Sequence, residues 1–384
     1  MVESLTPAAL QWLSRTARFG ILSAQTTPPC GAAKFSMGLS DALRTHGSDT
    51  DVIWVPDGEL SSLSRVMGVS LNGSAPSVDS CRNLLDQADV AVIQYGNAVD
   101  CIDGDDLIDI LQGLRVPSIV IAHTVPKEPT AQQRSILEAI AASASHMVVT
   151  SEAARQRLCL TYTVDRQRVT MIPLGAAVPD APRMKVPSRP TILTCGLLGP
   201  GKGIEKVIDA MPLLKDLPGR PRYLVAGPTH PRVLAAEGEA YRSARIEQAR
   251  RLDVADSVKF DSGYYSGPML TTLIQQAAVV VLPFDEEHAS CGVLVDAIAN
   301  GRPVVASGFP HAVELLDSGA GIIVDPDDTD SLASALRTVI RQPRVAGTMA
   351  AEARSRAAEL AWPLVSAAYI RLAQHLLAER RSRA

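Results

Sequence analysis

The chain has 384 residues, of which 46% are hydrophobic and 20% charged, and its net charge is −4. This length favours two domains, while the mild acidity and the 4% aromatic content argue against a nucleic-acid-binding surface. Six scattered cysteines form no C-x-x-C pair, so neither a zinc site nor a disulfide framework is predicted. No apolar run reaches the about 18 residues of a spanning helix, and the first residues lack a signal-peptide core. We therefore expect a cytoplasmic protein with no metal and no stable membrane anchor.

The first half of the chain alternates apolar strands with helical stretches. It opens with a strand from Phe19 to Ala24, and the loop TTPPCGAAKF leads into a helix from about Lys34 to His46. Further strands are predicted at 51–57, 89–96, 116–124, 146–152 and 168–173, with helices such as 105–114 and 132–145 between them. This alternation predicts α/β class with a parallel, doubly wound sheet, and ligands then bind at the carboxyl ends of the strands.

Two features of this half lie where a ligand is expected. His123 ends the strand SIVIAHT, although a strand-end histidine also serves as a loop cap, so both roles stay open. Gly31 in the Pro/Gly loop lets a ligand approach the backbone closely.

A proline-rich segment without periodicity, from Leu174 to Pro190, predicts a linker between two domains. A second series of strands and helices follows at once. We predict Rossmann-like domains over 1–178 and 179–364, and a C-terminal helix over 365–384.

The second series begins with the glycine-rich turn TCGLLGPGKGIE. Lys202 stands among Gly199, Gly201 and Gly203, from where its ammonium can reach a phosphate across the turn.

A later segment, SCGVLVDAIANGRPVVA, predicts a helix from Gly292 to Asn300 that Gly301 ends. Small residues at its start leave backbone N–H groups open for an anion such as a diphosphate. Asp296 lies one turn later on the same face, where a carboxylate can accept hydrogen bonds from ribose hydroxyls. The alternative is an ordinary amphipathic helix.

Four motifs in this order, TPPCGAAKF, AHTVP, GLLGPGKG and the Gly292 helix, resemble those of the retaining glycosyltransferases of family 4, which have the GT-B fold. Three departures from the family pattern are evident. Asp296 replaces a glutamate, Leu197 stands in an arginine position, and the first acid of the pair is displaced or absent, since His288 occupies its place and Glu286 and Glu287 come just before.

The resemblance implies two Rossmann-like domains that face each other across a cleft, and a last helix that crosses back to the first domain. Trp362-Pro363 would be the kink between the two helices predicted at Val345 to Leu360 and Trp362 to Arg380. It implies His123, Lys202 and Asp296 as catalytic residues. The expected nucleotide-sugar contacts are Gly31, Ala32, Leu197, Gly227, Pro228, Phe260, Tyr264, Glu287, Ser290, Gly292, Val293 and Leu294.

The implied activity is transfer of a hexosyl group, with mannose from GDP-mannose favoured over UDP sugars, to a hydroxyl acceptor. Four aspartates between Tyr95 and Asp106 and the few basic residues of the first helix favour a soluble acceptor over a lipid. No cofactor is expected, and the sequence leaves a homodimer open. The alternatives are a nucleotide-sugar-binding protein with lost or altered chemistry, and a GT-B epimerase.

Overall fold

The computed structural model describes residues 16–25, 28–56, 76–96, 102–179, 188–284, 291–325 and 327–383. Within these ranges the chain forms two six-stranded sheets whose neighbouring strands all pair in parallel. The predicted α/β fold with two Rossmann-like sheets is therefore confirmed.

The first sheet has the strand order β2-β1-β3-β4-β5-β6. Its strands are β1 (Phe19–Gln25), β2 (Thr50–Pro56), β3 (Val90–Tyr95), β4 (Ser118–Ala122), β5 (His146–Val149) and β6 (Val169–Met171). The helices between them are α1 (Gly31–Thr45), α2 (Val78–Leu85), α3 (Gly104–Gly113), α4 (Ala131–Ser143) and α5 (Glu152–Thr161). Every residue of β4 and β5 is buried, as expected when helices cover both faces of a parallel sheet.

The helix α1 begins three residues earlier than the sequence predicted. Gly31 is its first residue rather than part of a loop, because Cys30 has extended backbone geometry and its sulfur accepts the N–H of Ala33 at 3.4 Å. The periodicity of apolar residues did not reveal this cap, since cysteine is not among the usual N-cap residues.

The second sheet has the strand order β12-β11-β10-β7-β8-β9. Its strands are β7 (Thr191–Cys195), β8 (Arg222–Ala226), β9 (Val258–Asp261), β10 (Val279–Leu282), β11 (Val304–Ser307) and β12 (Gly321–Val324). The helices that follow these strands are α6 (Ile204–Ala210), α7 (Pro231–Glu237), α8 (Ala240–Arg251), α9 (Gly267–Gln276), α10 (Gly292–Ala299), α11 (Pro310–Leu316) and α12 (Thr329–Arg341).

Two further helices, α13 (Pro343–Ala357) and α14 (Trp362–Arg383), end the described chain. The expected break between the two helices lies at Ala361, directly before Trp362-Pro363, where a short 3-10 turn and the extended Ala361 separate α13 from α14. Pro363 lies in the first turn of α14, where its missing N–H costs no helical hydrogen bond.

The helix α14 packs on α1 of the first domain. The Trp362 ring lies 5.4 Å from the Phe35 ring and fills the space above two glycines. A Cβ atom at Gly38 or at Gly175 would lie 2.3 Å from Trp362. One buried hydrophobic cluster therefore continues through both domains and includes Tyr369 of α14.

Both domains also meet through Glu314 of α11. Its carboxylate accepts the backbone N–H groups of Glu152 at 3.1 Å and Ala153 at 3.2 Å, at the N-terminus of α5. A negative side chain at this helix end is favoured by the helix dipole. The last strand of the first sheet ends at Met171, and the first strand of the second sheet begins at Thr191. The exact limits of the two domains stay predictions.

Candidate active site

The helix α10 carries the first part of the candidate site. It begins at Gly292, which is exposed, and a Cβ atom built there meets nothing within 4 Å. Among the described residues no side chain forms a cap hydrogen bond at this end, although the N–H groups of Val293 and Leu294 lie near the Cys291 thiol and oppose the rise of its pKa. The N-terminal N–H groups and the positive end of the helix dipole suit an anion.

One of the expected open N–H groups is already in use. The backbone N–H of Cys291 donates to Nδ1 of His311 at 2.9 Å, and this histidine is buried. Burial lowers the pKa of His311 to about 4, so the ring is neutral and can accept this hydrogen bond. Ser290 and Glu287, two expected contacts, lie outside the described residues.

Lys202 approaches this helix end from the glycine-rich turn after β7. Its ammonium lies 4.4 Å from the centroid of the Phe284 ring. Burial raises the pKa of the Cys291 thiol and the charge of Lys202 opposes this shift, which places the ammonium close to the start of α10. The two features that the sequence predicted for a diphosphate therefore come together.

Gly203 makes this approach of the turn sterically feasible. Its φ is 62°, in the left-handed region, and a Cβ atom there would lie 2.0 Å from the carbonyl oxygen of Pro283. Only glycine tolerates both conditions, and it brings the Lys202 turn against the end of β10.

Asp296 lies one turn into α10 and is partly buried. Burial raises its pKa to about 6, and the nearby ammonium of Lys34 opposes the rise. Within the described part of the chain its carboxylate forms no hydrogen bond. It can therefore accept hydrogen bonds from a ligand, as predicted for ribose hydroxyls.

The loops after β7 and β8 are held together behind this site. Gly227 has a φ of 136°, and a Cβ atom on it would lie 1.9 Å from the carbonyl oxygen of Gly196. The N–H of Leu198 donates to the carbonyl of Pro228 at 2.9 Å, and Arg242 donates to the carbonyl of Gly227 at 2.8 Å. The loop that carries the expected contacts Gly227 and Pro228 is thus fixed by backbone hydrogen bonds and by the Arg242 side chain.

The residues expected to contact the nucleotide sugar differ in how far their side chains are exposed. Leu294 is buried in the core, so it could offer a ligand its backbone alone, whereas Val293 and Leu197 are half-buried. Phe260 lies within β9 and packs against the core between that sheet and its helices. Tyr264, in contrast, is 40% exposed in the loop after β9.

The first domain contributes His123, which directly follows β4. Its backbone N–H donates to the carbonyl of Tyr95 at 2.8 Å, and its Nε2 donates to Oε1 of the buried Gln94 at 2.5 Å. The ring also contacts Phe35 of α1 edge to face, at 5.4 Å between centroids. The sequence indicated the histidine but not Gln94, which orients it from the adjacent strand.

The start of α1 lies on the same side of the molecule as His123. Gly31 is exposed with open space where a side chain would be, while Ala32 is buried, so their backbones are what a ligand could contact. One turn further along, the ammonium of Lys34 lies 5.2 Å from the centroid of the Tyr264 ring. Lys34 was not among the predicted site residues, although it stands within the TPPCGAAKF motif.

Among the described residues, no group of three or more histidine, cysteine, aspartate or glutamate side chains could hold a metal ion. The helices of the described ranges are too short or too polar to cross a membrane.

One of the aspartates after β3 has a structural role. Asp103 caps α3 by accepting the N–H of Asp105 at 2.9 Å.

Two facing Rossmann-like sheets with this site between them define the GT-B fold of glycosyltransferases. The family model described as "Glycosyl transferases group 1" matches residues 189–342, so the second domain is similar to that family.

The chain is similar to D-inositol 3-phosphate glycosyltransferase of Kineococcus radiotolerans, with 28% identity over 300 residues. That match covers 69% of this chain and 66% of the relative, just under two thirds of its length. Sucrose-phosphate synthase from Thermosynechococcus elongatus has a TM-score of 0.71 at 18% identity, covering 94% of this chain and 100% of the other. Anabaena HepE in complex with UDP and glucose has a TM-score of 0.70 at 17% identity, covering 96% and 100%. At these identities the two structures support the fold alone.

Proposed function

We propose that this protein is a retaining glycosyltransferase that moves a hexosyl group from a nucleotide diphosphate sugar to a hydroxyl of a soluble acceptor. The observation that carries the proposal is that Lys202, whose ammonium lies 4.4 Å from the centroid of the Phe284 ring, is close enough to the N-terminus of α10 to affect the pKa of Cys291 there. A charged ammonium beside a helix N-terminus suits an anion, and Asp296 one turn away suits a ribose.

The chemistry follows from where charge develops. Breaking the anomeric bond leaves negative charge on the diphosphate and an oxocarbenium-like sugar. Lys202 and the start of α10 stabilise the leaving diphosphate, and they are held in place before the reaction begins. The acceptor hydroxyl attacks from the same face, and the leaving phosphate takes its proton, so no side-chain nucleophile is required.

His123 is the first-domain group that we assign to the sugar side of this reaction. Its Nε2 is engaged by Gln94, which fixes the ring plane at the carboxyl edge of the first sheet. We propose that the ring contacts the donor sugar near the reacting carbon.

The donor that we favour is GDP-mannose, on the resemblance of GLLGPGKG and of the SGVLV-like start of α10 to mannosyltransferases. The complex of HepE with UDP and glucose makes a UDP sugar the main competitor. Calorimetric titration with GDP, UDP and ADP decides between the bases, and we expect GDP to bind most tightly.

Donor turnover and product stereochemistry test the reaction itself. We expect purified protein to release GDP from GDP-mannose, faster when an acceptor is present, and early NMR spectra to show a product with the donor's anomeric configuration. We also propose that the two charge-stabilising features act without a metal, so EDTA should leave the rate unchanged. A strict requirement for an added divalent cation contradicts this part.

A second candidate is a nucleotide-sugar-binding protein without transfer activity. Leu197 favours it, because it places an uncharged side chain where the resembling family has an arginine. Tight GDP or UDP binding without hydrolysis or transfer, across a broad set of acceptors, would support this candidate against the first.

A further inference from the structure

Lys34 is a first-domain cation that faces the second domain. It lies on α1, and its ammonium is 5.2 Å from the Tyr264 ring centroid in the loop after β9. Burial raises the pKa of Asp296 on α10 and of Cys195 at the end of β7, and the charge of Lys34 opposes both shifts. These three groups all belong to the second domain.

Lys34 is half-buried, and its charge acts on the carboxylate of Asp296. Within the described ranges it forms no ion pair and no hydrogen bond. A cation that loses hydration without a paired anion is costly, and an anion that enters between the domains would remove this cost.

We propose that Lys34 is a donor-binding residue whose ammonium contacts the diphosphate from the side opposite Lys202. This inference rests on the proposed function, because it assumes that the start of α10 holds a diphosphate. The anion is then held by cations from both domains.

The position of Lys34 favours the diphosphate over the acceptor. Asp296 is four residues, or about 6 Å of helix rise, from Gly292 at the start of α10. Cys195 ends the strand that leads into the Lys202 turn. A charge that reaches both of these residues lies close to the anion site between them.

The test is the affinity for GDP, UDP, inorganic pyrophosphate and the two nucleosides, guanosine and uridine, measured by calorimetry on the full chain. We expect Lys34→Gln to weaken the better-bound nucleoside diphosphate and pyrophosphate by about 10- to 100-fold. Affinity for the matching nucleoside should change by less than about three-fold, because the base and ribose contacts are untouched.

Lys215→Gln is the matched control, since Lys215 is an exposed lysine that pairs with Asp253 at 2.9 Å outside the site. It should leave all affinities unchanged. Pyrophosphate binding to Lys34→Gln within about three-fold of the parent, or an equal loss for the nucleoside, overturns the inference.

A second measurement needs no variant. Lysines of the parent protein are acetylated with a limiting reagent and identified by mass spectrometry, with and without ligand. We expect GDP or UDP to protect Lys34 while the nucleoside does not, and no difference between them counts against the inference. If the parent binds neither GDP nor UDP, the proposed function itself fails. If the parent binds one of them and Lys34→Gln binds it equally, Lys34 alone is misassigned.

Discussion

The buried imidazole of His311 accepts the backbone N–H of Cys291 at 2.9 Å, immediately before the helix that we assign to the donor diphosphate. The histidine belongs to α11, one strand and one helix further along the chain. Without this acceptor the Cys291 N–H would be buried and unsatisfied. The second domain therefore fixes the start of α10 through a side chain that stays neutral.

This neutral histidine predicts a pH dependence of stability. Its folded pKa of about 4 lies below its ordinary value of 6.5, so the unfolded chain binds the extra proton between those values. The stabilisation is present above pH 6.5 and is lost as the pH falls towards 4, by about 3 kcal/mol in all. Urea unfolding of the parent and His311→Gln across this range checks it.

In His311→Gln the amide oxygen can still accept the Cys291 N–H but does not titrate, so the slope should flatten. His375→Gln is the control, because His375 is exposed on α14, with its ring near Glu379. If the free energy of unfolding depends on pH equally in the parent and in His311→Gln, the pH dependence comes from other groups.

Lys202→Ala should lose most transfer activity and keep its fold, because Lys202 lies in a glycine-rich turn outside the core. Losing one preorganised contact to a developing anion costs about 2 to 4 kcal/mol in the transition state. Initial rates with saturating donor measure the loss. Lys206→Ala is the control, since Lys206 pairs with Asp327 at 3.0 Å. Lys202→Ala activity within a factor of about three of the parent contradicts the assignment.

Asp296→Ala should weaken nucleotide-sugar binding more than binding of inorganic pyrophosphate. The carboxylate is expected to accept ribose hydroxyls, and such a hydrogen bond contributes about 1.5 to 3 kcal/mol. Calorimetry with both ligands compares the two losses. An equal loss for both would instead indicate that the substitution perturbs α10 as a whole.

The same carboxyl predicts a gain of stability on neutralisation. Its pKa is about 6 when folded against 3.8 as a model value, so the folded chain holds its proton longer and stability falls as the pH rises between those values. Asp296→Asn should therefore raise the free energy of unfolding at pH 7 by about 1 to 3 kcal/mol, which urea unfolding measures. No gain at pH 7 together with an unchanged pH profile would show that a partner compensates the buried charge.

The strands, the start of α10 and the Lys202 turn were predictable because their signals are local. Apolar runs, glycines at fixed spacing and the Asn300-Gly301 stop lie within a few residues of what they specify. Lys34, Gln94 and His311 were missed because each acts on a partner that only the folded chain brings near. A lone lysine, glutamine or histidine in sequence carries no sign of that partner.

Packing between α14 and α1 predicts that Gly38→Ala is destabilising. The added Cβ would lie 2.3 Å from Trp362, a clash that the ring can relieve only by moving. Overpacking of this kind costs about 1 to 3 kcal/mol. Gly347→Ala is the control within α13, where a Cβ meets nothing within 4 Å and the higher helix propensity of alanine should stabilise. Equal unfolding midpoints for the two variants would contradict the packing argument.

A soluble acceptor predicts weak binding to membranes. The helix α1 carries Lys34 and Arg44, and Arg44 lies 3.6 Å from Asp41, so this face offers little net positive charge. Each basic residue near an anionic bilayer contributes about 1 kcal/mol, which is too little for stable attachment with so few. We expect the protein to stay in the supernatant when it is sedimented with phosphatidylserine vesicles at low salt. The described aspartates after β3 would add repulsion rather than attraction. Substantial co-sedimentation that high salt reverses would show that a basic surface exists despite the net charge of −4, and would move the acceptor to a lipid.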